Sequence, residues 1–197
     1  MKHVTSGKIK MNNVPGFEFI GDKEFYLYVD DLVKFYLKEE PLVKNIPTGS
    51  FRSFDKNENK VLNQNFFETV FGNKDKYVIK KVDGRGGNAV YIGNKMSSEE
   101  FLKLKDVIKK NPEFYIAQEF TPISTMDGML VDMRVITDVS PQGVIVSDIP
   151  FGRAIPISGD GKVNISVSGR ETTVLVEPSS SSCLKAILQR MQSLLLR

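Results

Sequence analysis

The residues in this sequence that could do chemistry are a cluster of glycines beside a lysine pair and several polar residues on strand-like runs. The glycines fall in "YVIKKVDGRGGNAVYIG", residues 77–93. An apolar run there ends in Lys80 and Lys81, turn residues follow, and a second apolar run begins after Gly84, Gly86 and Gly87. Glycine lets the main chain approach a ligand closely, so bare backbone N–H groups in such a loop can fold over phosphates. Lys80 would add a charge for the phosphate oxygens. The spacing excludes two loop types: no G-x-x-x-x-G-K-[ST] string occurs, and "NAVYIG" is β-prone where a dinucleotide fingerprint would open a helix. A glycine-rich hairpin remains. It serves equally as a phosphate cradle or as a tight turn whose glycines supply positive φ while the lysines face solvent, and spacing alone leaves both readings open.

Other polar residues sit where they could join such a site. Gln118 and Glu119 end a short, buried-looking strand, where a hinge could hold an adenine edge and a ribose. Asp132 and Arg134 alternate with apolar neighbours in "MLVDMRVIT", so both point to one face of a strand. Arg153 lies between apolar runs in "PFGRAIP", where an unpaired buried guanidinium would be costly. Asn164 and Ser166 repeat the alternation. Each could equally be a solvated surface residue, but arginines on neighbouring strands would suit an anion such as an acyl phosphate.

The elements that must position these groups change along the chain. "GKIKMNN" alternates like a short strand. Asp22 could cap a helix from about Lys23 to Lys38, carrying Phe25, Tyr28, Val29, Leu32, Val33, Phe35 and Tyr36 at helical spacing. Residues 41–60 read as a linker with turn residues, and "VLNQNFFETVF" as a shorter helix. Ser97 with Glu100 forms a capping box that starts a helix stopped by Asn111-Pro112. Beyond it, "FYIAQEF", "MLVDMRVITDV", "GVIVSDIP", "GRAIPI", "KVNISVS" and "TTVLVE" are strand-like runs, which predicts an antiparallel sheet. "PSSSS" introduces a last helix with Leu184, Ile187, Leu188, Met191, Leu194 and Leu195 on one face. An α+β chain follows.

Composition narrows the chemistry. With 197 residues, 41% hydrophobic and 26% charged, the chain can bury a core of ordinary size. Its net charge of +3, with scattered lysines, gives no reason to expect nucleic-acid binding. The one cysteine, Cys183, excludes an internal disulfide and a multi-cysteine metal site, and a reducing cytoplasm is the expected location. The one histidine, His3, sits near the start, which argues against a His-based triad or metal centre. No run approaches about 18 apolar residues and the N-terminus lacks a signal-peptide core, so no membrane association is expected.

Taken in order, these motifs resemble those of the circularly permuted ATP-grasp proteins, a group that includes peptide-forming ligases. "GKIKMNNVPGFEFIGDKEFYLYVDDLVKFYLKEEPLVKNIPT" is similar to the family's first strand, DK-containing helix and "GEEPxLxNVPT" stretch. "YVIKKVDGRGGNAVYIG" resembles its "VVKPxDGYGGxGVxIG" lid hairpin, "YIAQEF" its adenine-hinge strand, and "VDMRVIT" its "VDLRPFV" strand. "GRAIPI…VNISVSGRETTVLV" resembles a later segment with the same arginine and asparagine. The chain departs from the pattern at Lys81, where the family has proline, at Ala89, where it has glycine, and at Ser168 in a late double glycine.

The resemblance implies an incomplete ATP-grasp-like α+β fold with two lobes, a small helix-and-strand lobe with the glycine-rich lid hairpin and an antiparallel-sheet lobe. Its subdomains would be 1–70, 71–120 (lid hairpin and helix) and 121–197. It implies ATP held with Lys23 and Lys80 on the phosphates, Gly84, Gly86 and Gly87 in the lid, and Gln118 and Glu119 facing adenine and ribose. Arg134, Arg153 and Asn164 would face the phosphate end and the acyl substrate. The implied reaction activates a carboxylate as an acyl phosphate for attack by an amine. Mg²⁺ is implied too, but its aspartate and E-x-N ligands are expected to be absent from this chain. The partners implied are a nucleotide, small-molecule or peptide carboxylate and amine substrates, and the rest of its own polypeptide or a second copy. The alternative is a catalytically inactive nucleotide- or partner-binding module.

Overall fold

Ser97 and Glu100 start the longest helix among the described residues. The Ser97 hydroxyl accepts from the Glu100 backbone N–H at 3.2 Å, and the Glu100 carboxylate accepts from the Ser97 N–H at 3.0 Å. Two donors that a helix start leaves over are thereby satisfied. A computed structural model describes this element and its surroundings, covering residues 2–9, 18–84, 87–140, 143–147, 150–165 and 169–174. The regular elements are α1 (Lys2–Thr5), α2 (Val29–Leu32), β1 (Thr48–Ser50), β2 (Arg52–Phe54), β3 (Lys60–Leu62), α3 (Gln64–Gly72), β4 (Tyr77–Lys81), β5 (Val90–Ile92), α4 (Ser98–Lys110), β6 (Tyr115–Glu119), β7 (Ser124–Met126), β8 (Met129–Arg134), β9 (Thr137–Ser140), β10 (Gly143–Val146), β11 (Phe151–Pro156) and β12 (Arg170–Thr173). Helices and antiparallel sheets make this an α+β chain. No helix of the described residues is long and apolar enough to cross a membrane.

Two four-stranded sheets dominate, ordered β1-β6-β4-β5 and β12-β11-β8-β7, with hairpins β2-β3 and β9-β10 beside them. The first sheet turns Ile79 and Ala117 toward α3 and α4, whose Phe67, Val70, Phe101, Leu104 and Ile108 complete one buried cluster with Phe51 and Tyr115. Aromatic rings hold it together: Phe67 to Phe71 at 4.7 Å and Phe71 to Phe101 at 4.8 Å between centroids. Because side chains alternate along a strand, burying Ile79 sends Val78 and Lys80 to the opposite face. That face is where the site lies.

Several expectations need correction. The segment from Lys23 to Lys38 is not one α-helix. It runs as a tight 3-10 turn over Phe25–Tyr28, one α turn in α2 and a wide π turn over Val33–Leu37, ending at Lys38 with φ 56°. Phe35 and Tyr36 are 65% and 72% exposed, so little packing enforces α geometry on a run of aromatic and β-branched residues that favour it weakly. The supposed linker over residues 41–60 contains β1 and β2 and the fully buried Phe51. Gly49, within that stretch, lies in β1, and a Cβ there would stand 2.5 Å from the Phe66 ring. At the ends of the sequence, residues 7–9 form turns and bends rather than a strand, residues 162–165 are not a strand, and β12 begins at Arg170. The rest of "GKIKMNN", Ser166 and the terminal leucine-rich helix lie outside the described residues.

Candidate functional site

Lys80 and Lys23 reach one cavity from separate segments. β4 projects Lys80 from the face opposite the aromatic cluster. Lys23 is held by its own backbone, whose N–H donates to the Val82 carbonyl at 3.0 Å. The neighbouring Glu24 carboxylate accepts from Arg52 Nη2 at 2.6 Å and from the Ser50 hydroxyl at 3.2 Å, which pins this stretch to the edge of the first sheet. The Lys23 ammonium donates to the Gly84 carbonyl. A Cβ at Gly84 would stand 2.9 Å from the Asn88 carbonyl oxygen and 3.3 Å from Lys23 Nζ, so glycine makes this close approach possible. Across the β4-β5 turn, Gly87 has φ 82° and Ala89 φ 54°. The left-handed backbone at Ala89 is the reason a glycine would suit that position.

The second sheet supplies the opposite wall. Asp132 and Arg134 share one face of β8, and Arg153 on β11 is in register with Asp132. The Arg153 guanidinium grips the Asp132 carboxylate with two donors, Nε to Oδ1 at 2.9 Å and Nη2 to Oδ2. This fork satisfies a guanidinium whose side chain is only 11% exposed.

Between the walls lies a cavity of about 650 Å³. Lys23, Lys80, Gly84, Gly87, Gln118 and Glu119 line it from one side, and Arg134, Arg153 and Asn164 from the other, with Ile46, Val78, Val90, Ile92 and Val163 as apolar wall. The structure thus brings most of the candidates singled out in the sequence together around this cavity; Gly86 and Ser166 lie outside the described residues, and Lys81 pairs with Asp83 instead of lining it. Burial pushes the Lys80 ammonium below its ordinary pKa, and the like charge of Lys23 pushes the same way. Hydrogen bonding to Asp132 holds the Arg153 guanidinium above its ordinary value. A polyanion fits such a wall, since it would relieve two ammonium groups that repel each other.

Residue-level surprises concern Gln118, Thr48 and Asp132. The Gln118 side chain, 9% exposed, accepts from Lys80 through Oε1 and donates through Nε2 to the Thr48 hydroxyl at 3.0 Å. Thr48 was hidden in the stretch read as a linker, and nothing local marks it. Asp132 was visible as half of a charged pair, but its partner is Arg153, across the strands. Among the described residues no group of three or more His, Cys, Asp or Glu comes together to hold a metal. A further cavity of about 580 Å³, lined by Tyr91, Met96, Leu104 and Tyr115, lies against β5 and α4.

The chain is similar to proteins of several bacteria. It is 29% identical over 154 residues to a Frankia alni protein named "Putative glutamate--cysteine ligase 2-3", which covers 74% of this chain and 17% of that protein. An uncharacterised Synechocystis protein is 30% identical over 133 residues, 67% of this chain and 25% of its own length. An uncharacterised Mycobacterium tuberculosis protein is 27% identical over 187 residues, 90% of this chain and 32% of its own. The chain therefore spans a third or less of the curated relatives it matches. The sequence profile of circularly permuted ATP-grasp type 2 proteins matches residues 1–146, and on that match, over cavity-lining residues from Lys23 to Arg134, the chain belongs to the circularly permuted ATP-grasp family.

Proposed function

We propose that the cavity is the nucleotide cleft of an ATP-grasp ligase, and that the β4-β5 hairpin is its lid between two lobes. The observation that carries the reading is the convergence of Lys23 and Lys80 on one cavity that Arg134 and Arg153 face from the other sheet. ATP is the substrate that supplies the transferable phosphoryl group. Lys23 and Lys80 hold its phosphates, Gly84, Gly86 and Gly87 let the hairpin backbone close over them, and the 118–119 hinge borders the base and ribose. Arg134, Arg153 and Asn164 orient a carboxylate, whose oxygen attacks the γ-phosphorus as ADP leaves. An amine then displaces phosphate from the acyl phosphate and a peptide-type bond forms. Cationic groups fixed in a partly dry cleft stabilise the charge that develops on the transferring group. Among the described residues no group of three or more His, Cys, Asp or Glu gathers at the cleft, and the steps above are carried by this chain's cationic groups. The relative's name supports a carboxylate–amine ligase as the reaction class. The first sheet joins the segments 1–70 and 71–120 through the β1-β6 ladder, with 121–197 contributing the second sheet. A cytoplasmic location and association with further polypeptide, of its own chain or a second copy, complete the proposal.

One observation favours a second reading, a binding module without turnover: the Arg153 fork is occupied by Asp132, which leaves it fewer donors for an acyl phosphate. Calorimetry with ATP tests the cleft. Lys80→Ala should abolish binding, whereas Arg153→Ala should retain much of it. Equal loss from both, or no ATP affinity in the parent chain, would sink the assignment. Magnesium-dependent ADP release with a carboxylate and an amine present would favour the ligase over the module.

A further inference from the structure

Thr48 stands at the far end of a directed chain of hydrogen bonds that starts at Lys80. In the first sheet Thr48, Gln118 and Val78 are register partners across β1, β6 and β4. Lys80, two residues along β4 on the same face, reaches diagonally to Gln118. The Thr48 hydroxyl lies 2.7 Å from the Ile46 carbonyl oxygen, which can only accept, so Thr48 must donate its proton there. Its oxygen can then only accept from Gln118, at 3.0 Å. That fixes the amide: its NH₂ group faces Thr48 and its oxygen faces Lys80. The reversed amide would set two donors against an ammonium and an oxygen against a hydroxyl whose proton is already committed.

We propose that Thr48 and Gln118 are positioning residues that hold the Lys80 ammonium over the cavity. The proposal deepens the nucleotide reading and rests on it for the role of Lys80. Lys80 engages the amide oxygen and Thr48 the amide nitrogen, each through one bond, which leaves one N–H and one lone pair for a ligand. The Ile46 carbonyl is the terminus of the chain, which makes a backbone group in "NIPT" the anchor for a charge on another strand.

The test uses the whole chain, with ATP and adenosine as calorimetric probes and side-chain NMR titration of Lys80 without ligand. Thr48→Val keeps the shape and removes the hydroxyl. Gln118→Met removes the amide. Both should weaken ATP binding about tenfold, the effect of one charge-assisted hydrogen bond, with Thr48→Val leaving any adenosine binding unchanged, and both should move the Lys80 titration further below its ordinary range. Thr48→Ser should restore affinity and titration, which separates positioning from a folding defect. An unchanged Lys80 titration in both variants would overturn the proposal, as would Thr48→Val weakening adenosine as much as ATP. If the chain binds neither probe, the nucleotide reading falls while the titration still decides whether the two residues hold Lys80.

Discussion

The two sheets that wall the cavity treat their cationic groups differently. The sheet β1-β6-β4-β5 sets Lys80 against a neutral amide, close to the like charge of Lys23, and the ammonium is destabilised. The sheet β12-β11-β8-β7 sets Arg153 in a two-donor grip on Asp132, and the guanidinium is stabilised. A buried charge without a counter-charge is costly, and a paired one much less so. The first wall therefore carries an electrostatic demand that an incoming anion can meet, whereas the second is already compensated. A cavity built this way favours an anion on one side and keeps the other in fixed geometry.

The contrast can be broken at the backing of the first wall. Phe67 is buried against Phe51, Phe71 and the face of the sheet opposite Lys80. Phe67→Ala should cost about 3–5 kcal/mol in urea unfolding, and it should loosen Lys80 without touching Arg153. A smaller effect is expected on the second wall. Asp132→Asn leaves Arg153 beside a neutral group, and since Asp132 is 30% exposed, the loss should be about 2 kcal/mol, below the range for fully buried pairs. The same variant should increase affinity for inorganic phosphate, which calorimetry can follow. No change in either quantity would mean that the pair contributes nothing to the contrast.

The smallest effect is the pH dependence of the first wall. The folded chain holds Lys80 below the ordinary value of 10.5, so between the folded and unfolded pKa the unfolded chain binds more protons. Stability from this group should therefore rise with pH across that window, the penalty being fully present below the folded pKa and relieved as pH approaches 10.5. Nucleotide affinity should move the opposite way, falling as Lys80 loses its proton. Lys80→Met should flatten both trends in paired unfolding and binding measurements.

Much of this arrangement was legible along the chain and some was not. The capping box at Ser97 was readable because all its partners lie within one helical turn. The hairpin at 77–93 was readable because glycines punctuate two β-prone runs, and Arg134 and Arg153 stood out as charges among apolar neighbours. The pairing of Arg153 with Asp132 depends on the β8-β11 register, and Thr48 matters only through its neighbour in β6. Neither relation leaves a local mark. The linker reading of 41–60 failed for a related reason: at Gly49 the missing side chain makes room for the Phe66 ring, a tertiary demand that a glycine in one dimension does not announce. The irregular segment after Asp22 shows the converse, where helical periodicity was present but the burial that would enforce it was not.

Ala89 closes the β4-β5 turn with φ 54°, while its carbonyl accepts from the Lys81 N–H at 3.0 Å. An L-residue with a methyl group pays about 1 kcal/mol or more to stay in that conformation. The three-residue ladder between β4 and β5 has to carry that cost, so Ala89→Gly would lighten its load.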